Sequence, residues 1–226
     1  METRILDSTG FYVSLKRLLL ICGILSSLLY VSTDLLASWC YKGYSIIDQN
    51  YSELLATGAP TRAPMLLVSA VYNILVAAFA IGVRKFAFPK RTAHFAGAMI
   101  VGYAILSMVT PSFFQMDMRG AEITPLGSLH PPMTAVMSLF ILLSIGFGAF
   151  VSHRWFRFYS LITIILLIFF GVLTGSQAPK LVTGQPTPWM GFTERINIYA
   201  TMLWFSVLSI LLLQADIGQG SKNVKP

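Results

Sequence analysis

Charged side chains are scarce: Asp, Glu, Lys and Arg make up 11% of the 226 residues, whereas soluble domains carry about 25% because their surfaces face water. A water-soluble globule is therefore excluded. Cysteine is nearly absent. Cys22 and Cys40 stand 18 positions apart, about 27 Å along a continuous helix, beyond the reach of a disulfide. A structural disulfide and a cysteine-based metal site are excluded with it. Of the three histidines, His94 and His153 flank short basic connections, which leaves His130 by itself. A haem would need a second axial ligand opposite it, and zinc sites built from several histidines lack their ligands here. No nucleophile motif of the Gly-x-Ser-x-Gly kind stands in a plausible setting, and neither a low-complexity segment nor a second domain is evident.

What fills the chain instead is hydrophobic residues, 55% of the total, with a mean hydropathy of +0.71. They form runs without Asp, Glu, Lys or Arg at 18–33, 64–83, 92–116, 131–152, 158–179 and 196–215. About 17 to 25 residues of helix cross the hydrocarbon. The runs are continuous rather than alternating, and only a helix satisfies its own backbone inside lipid. The expected fold is all-α: a polytopic membrane protein with a single six-helix transmembrane bundle. Its organisation reads as a cytoplasmic segment 1–15, a transmembrane domain 16–214 with spans near 16–37, 65–83, 92–113, 130–152, 155–176 and 193–214, and a cytoplasmic tail 215–226. The first span reads as an uncleaved helix, because Trp39 is bulky where signal cleavage needs small residues.

The basic residues orient the bundle. Arg4, Lys16, Arg17, Arg84, Lys85, Lys90, Arg91, Arg154, Arg157, Lys222 and Lys225 fall on one side, and Lys42, Arg62, Arg119, Lys180 and Arg195 on the other. The positive-inside rule makes the richer side cytoplasmic, giving an N-in/C-in arrangement. The net charge of +7 is thereby explained by attraction to anionic lipid, with no nucleic-acid partner implied.

Short turns, one broken by Pro89, join the spans on the basic side. On the other side the connections are long. Residues 39–64 carry Tyr41, Tyr44, Tyr51, Leu54 and Leu55 and read as an interfacial segment or partial lid. Ser128 is placed to cap the fourth helix ahead of Pro131 and Pro132, and Thr193-Glu194 to open the sixth.

Polar side chains collect in the halves of the spans nearest these long loops. Ser26, Tyr30, Thr33 and Asp34 lie in span one; Ser69, Tyr72 and Asn73 in span two; Tyr103, Ser107 and Thr110 in span three. His130, Thr134 and Ser138 lie in span four, and Glu194, Asn197 and Thr201 in span six. Spacings of three and four put each set on one helical face. The opposite halves of spans one and two are apolar, so a continuous polar pore is disfavoured and a pocket sealed towards the cytoplasm is expected. Hydroxyls alone can serve as packing glue between membrane helices. Ionisable groups at membrane depth are costly and face a partner or a cavity; with the amides on the same polar faces, this makes Asp34, Asn73, Asp117, His130, Glu194, Arg195 and Asn197 the candidate ligand-binding residues. Arg119 reads as an ion-pair partner for Asp117, Glu122 or Glu194, whereas Arg195, in a first helical turn, reads as the better clamp for an anionic group.

The segment Phe114-Gln-Met-Asp117-Met-Arg-Gly120, followed by Leu126-Gly-Ser-Leu-His130, resembles the signature of a prokaryotic membrane family called domain of unknown function 998. Gly191 with Glu194-Arg195 and the later Trp204 resembles that family's last-helix pattern, and Ser52-Glu-Leu with Gly58-Ala-Pro is similar to its first outer loop. Gln115 departs from the proline expected after the phenylalanine. The resemblance implies a compact six-helix protein of the bacterial cytoplasmic (inner) membrane with Asp117, His130 and Arg195 on its outer side, and it implies no activity.

The expected function is non-enzymatic binding of a lipid or small molecule in an outward-facing polar pocket, for sensing, transport or support of an envelope complex, with membrane lipids as partners and no cofactor. The alternative is a metal-dependent intramembrane hydrolase acting on a lipid-like substrate, in which zinc is held by His130, Asp117 and Glu194, or by another carboxylate from Glu122, Glu53 and Asp34. Ion-coupled transport through Asp34, Asp117 and Glu194 lacks relay groups in the cytoplasmic half.

Overall fold

The computed structural model describes residues 2–86 and 91–222, with side chains described for 12–85 and 91–216. Arg4, Pro89, Lys90, Lys222 and Lys225, used above for orientation and loop assignment, fall outside the described residues or side chains. The regular structure of the described chain is all helical: α1 Glu2–Cys40, α2 Arg62–Phe86, α3 Arg91–Phe113, α4 His130–Gly148, α5 Arg154–Ser176, the short α6 Ala178–Val182 and α7 Met190–Lys222, with no strand among the described residues. Six segments are long and apolar enough to cross a membrane: Tyr12–Cys40, Arg62–Lys85, Arg91–Phe113, Gly127–Gly148, Arg154–Val182 and Met190–Asp216. The protein is a multi-pass integral membrane protein.

Two helix starts differ from the sequence reading. Ser128 does not cap α4; its hydroxyl donates to the Pro125 carbonyl at 2.7 Å. The residue before α4 is Leu129, which makes no side-chain cap, and a 3-10 turn, Gly127–Leu129, leads into the helix with proline in its first turn. That turn already aligns the backbone, and prolines lack the amide hydrogens a cap would satisfy. Helix α7 begins at Met190, a turn ahead of Thr193, whose hydroxyl bonds the Met190 carbonyl at 3.0 Å and the Thr174 hydroxyl at 2.8 Å.

The helices pack in a ring, α1 on α2, α2 on α3, α3 on α4, and α5 on α7, which returns to α1; α4 meets α5 only loosely. In the half nearest the short connections the interior is closed. Phe79, Val83, Phe156, Phe205 and Leu208 leave no exposed surface. The Trp204 indole donates to the Ser160 hydroxyl at 2.9 Å and stacks on Phe156 at 5.8 Å between centroids. Lipid tails are as apolar as the core, so close packing and such hydrogen bonds hold the helices together. Leu67, Ile74, Phe158, Ile165 and Leu203 point outward, as a lipid-facing surface requires.

Lys16 and Arg17 of α1 reach Asp216 of α7 at 2.8 and 3.0 Å. Helices α1 and α7 are therefore joined at the short-loop end. At the other end residues 41–61 fold inward as a lid. A 3-10 turn, Tyr51–Leu55, starts at a capping box in which Asn50 and Glu53 satisfy each other's amides, and Leu54 and Leu55 pack with Ala37 and Met65. Of the two readings of this loop, the lid is the one the burial supports.

Candidate functional site

Asp34 and Arg195 find each other beneath the lid. Arg195 donates Nε to Asp34 Oδ2 at 2.9 Å and Nη2 to Oδ1 at 2.8 Å, a two-pronged contact that matches the planar guanidinium to the carboxylate. The aspartate is 0% exposed and the arginine 5%. Their remaining capacity is also taken. Arg195 Nη1 donates to the carbonyls of Ile46 and Gln49 at 2.9 and 3.1 Å, and Nη2 to the Tyr44 hydroxyl at 2.8 Å. Tyr199 and Ser38 donate to Asp34 at 2.7 and 3.3 Å. Burial pushes the Tyr44 phenol above its ordinary range, so it stays protonated and donates onward to the Asn50 carbonyl at 2.8 Å.

One turn before Arg195 stands Gly191. A side chain there would run into the Ile46 and Gln49 carbonyls, the same two oxygens that the guanidinium holds. Glycine lets the lid come close enough for arginine to fasten it.

A second pair fastens the lid to the loop after α3. Arg119 donates to Glu53 at 2.7 and 3.2 Å, and also to the Gln185 carbonyl and Thr187 hydroxyl at 3.1 and 2.8 Å. The ion pairing expected of Arg119 is present, but its partner is Glu53 of another loop, and Glu122 is exposed. Thr187 in turn donates to the Asp48 carbonyl at 2.7 Å, and the Trp189 amide to the Asp48 carboxylate at 3.0 Å. Gly120 and Gly184, both at positive φ, meet where the Gly120 amide donates to the Leu181 carbonyl at 3.0 Å. Three connections thus form one cap over the bundle.

Under this cap lies a cavity of about 680 Å³. Helical spacing puts one face of each helix in its wall: Tyr103, Ser107, Thr110 and Pro111 of α3; His130, Thr134, Ser138 and Ile141 of α4; Leu167, Gly171, Thr174 and Gly175 of α5; Glu194, Asn197, Ile198 and Thr201 of α7. The lid adds Asn50, Tyr51 and Ser52, and the next loop Met116, Asp117 and Met118. Exposed small residues, Ala135 and Ser138 on α4 and Gly171 and Gly175 on α5, line the cavity from the two helices of the loosely packed α4–α5 seam.

The candidate residues divide around this cavity. Asp117, His130, Glu194 and Asn197 line it, whereas Asp34, Asn73 and Arg195 do not. Asn73 donates to the Ser69 carbonyl at 2.8 Å one turn back in its own helix. With its amide turned to pair donor with acceptor, Asn197 donates to the Leu167 carbonyl at 3.2 Å and accepts from the Gly171 amide at 3.0 Å, which joins α7 to α5. Asp117 accepts from the Thr124 amide and hydroxyl at 2.8 and 3.1 Å and so shapes the turn that leads to α4. His130 Nδ1 lies 2.8 Å from the Phe114 carbonyl. A carbonyl only accepts, so Nδ1 carries the hydrogen and, in the neutral ring, Nε2 keeps its lone pair. Glu194 accepts the Tyr51 amide hydrogen; among the described residues it has no ion-pair partner.

A zinc site at His130, Asp117 and Glu194 does not fit this arrangement. No group of three His, Cys, Asp or Glu among the described residues is placed to hold a metal ion. Asp117 turns to its own loop and Glu194 to the lid backbone, which separates the groups.

The motif residues of the sequence thus carry the cap and the cavity wall, Asp117 in the loop after α3, His130 at the start of α4, and Gly191 and Arg195 at the start of α7, with Trp204 in the core below. The family model described as Protein of unknown function (DUF998) matches residues 24–211. The chain belongs to this family. No curated protein and no solved structure is significantly similar to it.

Some wall residues of this DUF998 protein escaped the sequence reading. Helix α5 was assigned no polar face, yet Gly171, Thr174 and Gly175 line the cavity; their three-and-four spacing was the available signal, but glycine carries no polarity to mark it. Asn50 carries no signal of a wall residue in the sequence beyond its place in a loop, and Ser52 only that of the family's first outer loop. The Asn50-x-x-Glu53 capping box was the sign that this loop folds into a fixed turn.

Proposed function

We propose that this protein is a non-enzymatic binding protein of the bacterial cytoplasmic membrane, with its cavity facing outward and holding a lipid or small amphiphilic molecule for sensing, transport or envelope support. One observation carries the reading: a space of about 680 Å³, within the range of roughly 300 to 1,000 Å³ usual for ligand sites, walled by hydroxyls, an imidazole and two carboxylates near the cap and by Ile141, Leu167 and Ile198 deeper in. Such a wall suits a molecule with a polar head and an apolar body. The small residues along the α4–α5 seam support entry from the bilayer. Outward orientation rests on the basic residues of the short-loop end, and the bacterial location on the family resemblance of the loop motifs.

Native mass spectrometry of the protein in lipid nanodiscs tests the binding. A co-purifying amphiphile is expected, reduced at least tenfold in Ser138→Trp, which fills the cavity; recovery of no amphiphile by either protein would reject the reading. Orientation is tested separately. Cys40 is exposed at the long-loop end and Cys22 is buried. A membrane-impermeant maleimide should label intact spheroplasts, and Cys40→Ser should abolish the label.

A further inference from the structure

The cations of the long-loop end are all kept out of the cavity wall. Arg195 is bound to Asp34, and Arg119 to Glu53. Arg62 donates to the carbonyls of Leu55 and Pro111 at 2.6 and 3.4 Å, and Lys42, after α1, and Lys180, on α6, are exposed. No Lys or Arg lines the cavity. Its ionisable wall groups other than tyrosine are Asp117, His130 and Glu194. An anionic head would meet carboxylates here and no counter-charge.

A cationic head would meet the opposite. Glu194 lies in the wall without an ion-pair partner among the described residues, and the wall beside it holds Tyr30, Tyr51 and Tyr103. Tyr30 stacks on Tyr51 with centroids 4.7 Å apart, and Tyr72, hydrogen-bonded to Tyr103 at 2.9 Å, meets Tyr30 edge-on at 4.9 Å. Electron-rich ring faces next to a carboxylate attract ammonium groups.

We infer that the cavity selects amphiphiles with an ammonium head over those with an anionic head, the head lying between Glu194 and the tyrosines and the chain running towards the α4–α5 seam. This rests on the amphiphile-binding reading above and specifies its ligand class.

Three probes with the same twelve-carbon chain test it: dodecyltrimethylammonium, dodecanol and dodecyl phosphate. Saturable retention would be measured on the protein in nanodiscs of uncharged galactolipid at mildly alkaline pH, with empty nanodiscs subtracted. The ammonium probe should bind at least tenfold more tightly than the phosphate. Glu194→Gln should weaken the ammonium about tenfold while leaving dodecanol within about threefold, and Glu194→Asp should keep the preference. Phosphate binding as tightly as ammonium to the unaltered protein would overturn the inference without calling on any variant, and would leave the amphiphile reading standing. Equal loss of ammonium and dodecanol in a folded Glu194→Gln would also overturn it. Retention of none of the three, with no co-purified amphiphile, would remove both readings together.

Discussion

Two carboxylates of the same layer have opposite circumstances. Asp34 is enclosed by Arg195, Tyr199 and Ser38 and has no exposed surface. Glu194, next to Arg195 in sequence, faces the cavity and holds one amide hydrogen of the lid. The arginine that might have served both is committed to one. Desolvation offsets much of the attraction in a buried pair of this kind, yet breaking it from one side is costly because a charge is left buried without its partner. A group left unpaired at a cavity wall is costly in the folded protein and available to a ligand.

Breaking the paired region should have the largest effect. Arg195→Met leaves Asp34 charged and enclosed, and should cost about 3 to 5 kcal/mol in denaturant unfolding of the detergent-solubilised protein. Adding Asp34→Leu should recover most of that loss, since an apolar pair replaces an ionic one; no recovery would mean that the contacts of Arg195 to the lid carbonyls, rather than the ion pair, supply the stability. Arg119→Ala should cost less, about 2 to 3 kcal/mol, and should speed proteolysis within residues 41–61, because Glu53 loses its partner while the Arg195 fastening remains. On the cavity side the effects shrink. Glu194→Gln keeps an oxygen for the Tyr51 amide and should shift stability by about 1 kcal/mol or less. Thr110→Val removes a hydroxyl that has no partner, and should be neutral or slightly stabilising, within about 0.5 kcal/mol. A large loss at Thr110 would show that its hydroxyl is satisfied in the membrane.

The six crossings are legible in the chain because lipid imposes a single demand, an unbroken apolar run, and each run meets it separately. The polar faces follow from helical spacing in the same local way. Partner choice is another matter. Asp34 and Arg195 are 161 positions apart, and a lone aspartate or arginine looks the same whether it will be paired or open to a cavity. Arg195 was therefore read as a clamp for an anion, while the structure spends its donors on Asp34, Tyr44 and the lid. The local trace of this outcome is Gly191, one turn ahead, which makes sense only once the lid carbonyls are known to lie there. Arg119 shows the same limit: pairing was foreseeable from its sign, but the choice of Glu53 depends on how two loops fold over the bundle.

The bridges from Lys16 and Arg17 to Asp216 have a practical consequence. These bridges hold α1 and α7 side by side at one end of the ring, and with six spans from one to the other, residues 16 and 216 lie on the same side of the membrane. Two copies can be encoded in one reading frame, joined by a short polar linker and without an added transmembrane segment. An alteration such as Ser138→Trp can then be placed in one half of the pair and its effect measured against an unaltered twin in the same molecule.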